Sequence, residues 1–150
     1  MIEGVIFKSI ITHKDKRGFF REAFKLQKLF KSKKIHQVSH SFIKKNIIKA
    51  WHLHKIQDQW NYLLQGKLRV YLFDTRKNSK TYKKYLCFDL NSAGKNFIYF
   101  FPSGVAHGYI TKSKENHMIY ATSGIYNSKE EYKIKLENKI IPNFFSRKTK

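Results

Sequence analysis

Two histidines stand two positions apart in mid-chain, His52 and His54, in the stretch KAWHLHKIQDQW (residues 49–60). Histidine titrates near neutrality, so such a pair can take up and return protons. It can also ligate a metal, because imidazole suits Zn, Fe, Cu or Ni. His52, His54, Gln59 and His107 stand in that order along the chain as possible ligands, with Gln59 third. A neutral amide in place of an anionic ligand favours proton transfer over metal binding. Two unrelated strand histidines are the remaining alternative. If the 50s form a strand, alternation sends His52 and His54 to one face and Trp51 to the other.

The elements that must position these residues read as strands. GVIFKSII (4–11), NYLLQG (61–66), KLRVYLFDT (67–75), KTYKKYLCFDL (80–90), NFIYFFPSG (96–104) and NHMIYATSGIY (116–126) are rich in β-branched and aromatic residues. Turn formers in QGK, TRKNSK, NSAGKN and PSG separate them at short intervals. That spacing predicts an all-β barrel or sandwich rather than βαβ units. One helix is predicted over REAFKLQKLFKSKK (21–34), where Ala23, Phe24, Leu26, Leu29 and Phe30 recur near a 3.6 period. The tail NFFSRKTK is predicted to be loosely packed.

At 150 residues the chain is read as one domain, 1–150, with residues 131–150 as a short, loose extension. Apolar residues make up 41% of it and aromatics 16%, which suffices for a core. No apolar run approaches the ~20 residues of a membrane span, and the N-terminus has no signal-peptide pattern. The single cysteine, Cys87, fits a reducing cytoplasm. The net charge of +21 invites a nucleic-acid reading, but the excess is 26 Lys against 5 Arg, scattered singly and in pairs. Base readers and phosphate clamps favour arginine forks. The expectation is solvated lysine without nucleic acid or membrane as partner, and a preference for a small anionic, phosphorylated ligand.

Four stretches resemble the RmlC-like branch of the cupins, the dTDP-4-dehydrorhamnose 3,5-epimerases and their relatives. They are DKRGFFREAF (15–24), HQVSHS…IIKAWHLH (36–54), GKLRVYLFDTRKNSKT (66–81) and FPSGVAHGY (101–109), in family order and spacing. The resemblance implies a cupin or jelly-roll β-barrel with one or two short helices. It also implies a cytoplasmic homodimer that exchanges strands, a nucleotide-diphosphate sugar as substrate, and no metal or cofactor. Epimerising a 4-keto sugar needs a base, an acid on the other face and donors for the enolate oxygen. The resemblance assigns the base to His52 and the acid to Tyr126. It places Arg17, Glu22, Gln37, Ser39 and Lys49 on the nucleotide phosphates and sugar, and His107 in the wall facing the site.

The chain departs from the family pattern at several of these positions. Lys49 stands where the family has arginine, Ala50 where it has glycine, Ser39 where it has asparagine, and Gln59 where it has lysine. The aspartate that orients the family's histidine has no counterpart, so His52 is expected to find another partner. WHLHKIQDQWNYLLQG also resembles a stretch of the nucleotide-sugar 3,4-ketoisomerases, which implies direct roles for His54 and Gln59. The leading expectation is therefore a nucleotide-sugar epimerase of deoxysugar and polysaccharide biosynthesis. The alternatives are a 3,4-ketoisomerase, a non-catalytic nucleotide-sugar-binding cupin and a metal-dependent cupin.

Overall fold

The computed structural model describes residues 1–24, 35–94 and 97–145. Alternating apolar residues dominate the chain, and the result among the described residues is strand after strand. These are β1 (Ile6–Ser9), β2 (Thr12–Asp15), β3 (Gly18–Arg21), β4 (Gln37–Lys44), β5 (Ile48–His54) and β6 (Gln59–Gln65), then β7 (Lys67–Asp74), β8 (Tyr85–Asn91), β9 (Phe97–Phe101), β10 (Val105–Thr111), β11 (Glu115–Thr122) and β12 (Glu131–Lys133). The helix predicted over 21–34 falls mostly on residues 25–34, outside the described residues. Of its start, Arg21 ends β3, and Glu22, Ala23 and Phe24 follow without regular structure. The strand predicted over 80–90 begins only at Tyr85. Residues 80–84 form a turn in which Lys83 takes a positive φ.

Two five-stranded antiparallel sheets form the body, in the orders β1-β9-β6-β11-β4 and β12-β5-β10-β7-β8. β2 and β3 make a separate hairpin. The period of two sets the inner faces. Leu63 on β6, Leu68, Val70 and Leu72 on β7, Phe101 on β9 and Met118 on β11 meet in one buried cluster between the sheets. This is a jelly-roll sandwich, each sheet hydrogen-bonded within itself.

The outer faces are covered too. Trp60, Tyr62 and Ile98 on the first sheet pack with Ile10, Phe24 and Ile35. Trp51, Phe73 and Ala106 on the second pack with Ile134, Ile141, Phe144 and Phe145. Residues 131–145 are thus not the loose extension expected from composition. β12 pairs with β5, Ile141 is buried, and Phe144 and Phe145 pack against the rings of Trp51, Tyr71 and Tyr85. The apolar face that β5, β7 and β10 turn outward supplies the reason.

A buried charge anchors the end of β7. Asp74 accepts hydrogen bonds from Arg76 Nη2 (2.8 Å), Ser79 Oγ (2.6 Å) and Thr81 Oγ1 (2.6 Å). Arg76 also donates to the Glu3 carbonyl at 2.6 Å, tying down the N-terminus. Burial pushes the Asp74 carboxyl up, but the hydrogen bonds outweigh it and hold the group well below the usual carboxylate range.

Candidate active site

A cavity of about 210 Å³ opens between the two sheets at one end. One wall comes from β5 and β10, which are neighbours. His52 pairs with His107 across them, and the alternation of β5 brings His54 to the same face. A register shift follows His107, and a Cβ on Gly108 would collide with Ala50, so only glycine lets the two strands approach there. Glu131 on β12 and Lys49 on β5 complete this wall. Gln37 and Ser39 on β4, Gln59 on β6 and Tyr120 and Thr122 on β11 form the opposite one.

The three histidines stack. Ring centroids lie 5.9 Å apart for His52 and His107, and 5.2 Å for His54 and His107. His52 Nδ1 is 2.7 Å from Glu131 Oε1. A carboxylate only accepts, so the Nδ1 proton donates to Glu131 and the lone pair belongs to Nε2. His107 Nδ1 donates to the Val105 carbonyl at 3.3 Å. Burial pushes His107 well below the ordinary imidazole range, helped by the nearby His54 and His52. Burial lowers His54 as well, against the opposing charge of Glu131. No group of three or more metal-ligating His, Cys, Asp or Glu occurs among the described residues, and at the third position Gln59 brings an amide that points between His54 and Asn61.

Tyr120 reaches into the cavity from β11, on the sheet opposite His52. Its hydroxyl lies 2.8 Å from that of Tyr109 and 2.9 Å from Ser41 Oγ. Burial raises its pKa, which keeps it protonated. Tyr126, expected as the acid, lines the cavity at its mouth and is 64% exposed. Its backbone N–H donates to Gln37 Oε1 at 2.7 Å, and Gln37 Nε2 donates to Ser39 Oγ at 2.8 Å.

Of the ten residues expected at the site, the cavity gathers His52, His54, Gln59, Tyr126, Gln37, Ser39, Lys49 and His107. Arg17 and Glu22 are not among its lining. Arg17 sits at the tip of the β2–β3 hairpin, paired to Asp15 at 2.7 Å, and Glu22 is an exposed residue just beyond β3. His40, adjacent in sequence to this region, faces outward on β4 and meets His117 at 2.9 Å. Glu131, Tyr120 and Tyr109 were not singled out by sequence reading. Tyr120 did carry a signal: it shares the inward parity of β11 with Met118 and Thr122. Glu131 carried none, because only the pairing of β12 with β5 brings it to His52.

Comparison with known proteins agrees with this fold. Residues 1–142 match the family described as dTDP-4-dehydrorhamnose 3,5-epimerase. The chain is 34% identical over 130 residues to the spore coat polysaccharide biosynthesis protein SpsL of Bacillus subtilis (strain 168), covering 85% of this chain and 83% of that protein. It is 31% identical over 140 residues to the dTDP-4-dehydrorhamnose 3,5-epimerase of Shigella flexneri, covering 85% and 74%. Among solved structures, a dTDP sugar isomerase from Desulfovibrio desulfuricans G20 superposes with a TM-score of 0.86 at 18% identity, over 94% of this chain and 90% of that one. NovW, a 4-keto-6-deoxy sugar epimerase from Streptomyces spheroides, superposes with a TM-score of 0.84 at 20% identity, over 93% and 73%.

Proposed function

Because this chain belongs to the dTDP-4-dehydrorhamnose 3,5-epimerase family, we propose that it epimerises a nucleotide-linked 4-keto-6-deoxy sugar in deoxysugar and polysaccharide biosynthesis. The observation that carries this reading is the His52–Glu131 pair in a half-buried cavity faced by a protonated tyrosine. His52 Nε2 takes the proton α to the C4 carbonyl, and Glu131 steadies the imidazolium that forms. The enolate is reprotonated from the opposite wall. Tyr120 is the tyrosine whose hydroxyl the cavity encloses, and Ser41 and Tyr109 hold it in place. Tyr126 at the mouth is the other candidate acid, and its exposed ring also offers a face for the nucleotide base.

The cavity is smaller than pockets for whole drug-sized ligands, about 300–1,000 Å³. It therefore takes the sugar ring, and the diphosphate lies along the mouth, where Lys49 supplies a point charge and Gln37 and Ser39 supply polar contacts. Arg17 and Glu22 contribute from the hairpin of a second copy in a homodimer. The hairpin's exposed Phe19 and Phe20 support this, being apolar surface available to a partner. The lone Cys87 fits a reducing cytoplasm as the setting.

Deuterium wash-in at C3 and C5 of dTDP-4-keto-6-deoxyglucose tests the proposal. Incorporation at both carbons marks a 3,5-epimerase and at C3 alone a mono-epimerase or a 3,4-ketoisomerase. His52→Asn should slow exchange by ~10²–10⁴-fold. No exchange by the wild type, or undiminished exchange by the variant, overturns it. The contact of His54 with Gln59 (3.1 Å) favours 3,4-ketoisomerisation as the second reading, which NMR of the product separates.

A further inference from the structure

A chain of side-chain amides runs from the cavity into the core. His54 Nε2 lies 3.1 Å from Gln59 Oε1, Gln59 Nε2 lies 2.6 Å from Asn61 Oδ1, and Asn61 Nδ2 lies 3.5 Å from the Tyr99 carbonyl. Gln59 and Asn61 are both buried. The far end decides the direction of the whole chain. A backbone carbonyl only accepts, so Asn61 must present its NH₂ to Tyr99 and its oxygen to Gln59. Gln59 must then give its NH₂ to Asn61 and its oxygen to His54. Reversing either amide sets oxygen against oxygen inside the core, which is costly for buried polar groups. With an acceptor before it, His54 must carry its proton on Nε2.

We propose that Tyr99, Asn61 and Gln59 form a directed relay that holds His54 as the neutral Nε2–H tautomer, so that its Nδ1 is a fixed acceptor for a sugar hydroxyl beside the ketone. Nδ1 has no protein partner among the described residues, and His54 lines the cavity next to His52. The relay thus adds an uncharged acceptor to the site, where a cation at position 59 would have added a donor. An acceptor selects a ligand that donates there and disfavours one lacking the hydroxyl. Gln59 and Asn61 are positioning residues, acting through His54. The hydroxyl assignment rests on the epimerase reading above, whereas the tautomer does not.

Two-bond ¹H–¹⁵N correlation spectra of histidine-labelled full-length protein, without ligand, read the tautomer directly. The wild type should show His54 protonated at Nε2. Asn61→Leu should release Gln59 and give a mixture of tautomers. Asn61→Asp should keep the wild-type tautomer, since the buried acid, held protonated, still accepts from Gln59 with one oxygen and donates to the Tyr99 carbonyl with the other. If Asn61→Leu fails to fold, Gln59→Met serves instead: without an acceptor at position 59 His54 should give a mixture of tautomers, and a spectrum still wholly Nε2–H overturns the relay. A wild-type His54 protonated at Nδ1, or Asn61→Leu and Asn61→Asp spectra alike, overturns the relay. For the hydroxyl, kcat/KM is compared between a 4-keto sugar nucleotide and its 3-deoxy analogue. The preference should be at least about tenfold in the wild type and fall toward one in Asn61→Leu. An unchanged preference overturns the hydroxyl assignment even where the spectra support the relay.

Discussion

At the scale of single residues, the site is a set of imidazoles whose protons are assigned by their partners. Glu131 assigns Nδ1 of His52, and the Val105 carbonyl assigns Nδ1 of His107. Glu131→Gln removes the charge that steadies an imidazolium and allows the amide to donate to Nδ1 instead. We expect exchange to slow by ~10²–10⁴-fold with little change in substrate affinity, measured as kcat against KM. The two tyrosines separate in the same assay. Tyr120→Phe should abolish wash-in from the face opposite His52, whereas Tyr126→Phe should mainly raise KM. The reverse result would assign the acid to the mouth of the cavity. His52, His54 and Gln59 were legible because they are three letters of one short stretch. Glu131 lies 79 positions from His52 and no periodicity connects them.

At the scale of elements, the cavity depends on strands held at the right depth. β7 ends at Asp74, whose buried carboxylate gathers Arg76, Ser79 and Thr81 and through Arg76 the N-terminal segment. Asp74→Asn leaves Arg76 without its counter-charge, and we expect a loss of about 3–5 kcal/mol in denaturant unfolding. The low pKa of Asp74 gives the sign of its pH dependence. Its contribution is complete above the unfolded carboxyl value of about 3.9 and disappears as pH falls through the depressed native value. Between β6 and β7, Gly66 sits at φ +104°, and a Cβ there would press on Asn116 and the Glu115 carbonyl, the latter at 2.7 Å. Gly66→Ala should therefore cost about 1–3 kcal/mol and loosen the turn that joins the two sheets. Most strand positions were readable because alternation over six to eight residues is a strong signal. β12 was not readable: three residues, EYK, carry too little pattern, and pairing with β5 is what makes them a strand.

At the scale of the whole molecule, two sheets close around imidazoles that burial keeps neutral. His107 and His54 both have pKa values lowered below that of the unfolded chain. The unfolded chain therefore binds more protons as pH drops below about 6.5, and stability must fall with it. Each group contributes up to about 1.4 kcal/mol per pH unit until its native value is reached. Unfolding midpoints at pH 7.5 and 5.5 should show this loss, and His107→Gln should reduce it. A pH-independent midpoint would mean that these histidines are open to water. The β2–β3 hairpin belongs to the same scale. Arg17→Ala should leave the unfolding midpoint of the chain unchanged but weaken binding of the sugar nucleotide, if the hairpin serves a second copy.

The sequence by itself determined the class of fold and the family. Strand periodicity and four spaced motifs are local properties that survive without coordinates. It also pointed to the stretch of His52, His54 and Gln59, which the structure sets along the cavity wall. The tertiary structure alone decided which partners these residues have. Glu131, Tyr120 and the Tyr99 carbonyl come from strands remote in the chain: pairing of β12 with β5 brings Glu131 to His52, pairing of β9 with β6 brings the Tyr99 carbonyl to Asn61, and the packing of the two sheets sets Tyr120 across the cavity. The packing of Phe144 and Phe145 has the same origin: a polar-looking tail becomes core when an outward apolar face is there to receive it. Proton positions follow from those encounters, because a tautomer is set by the donor or acceptor it faces and not by the residue's own identity.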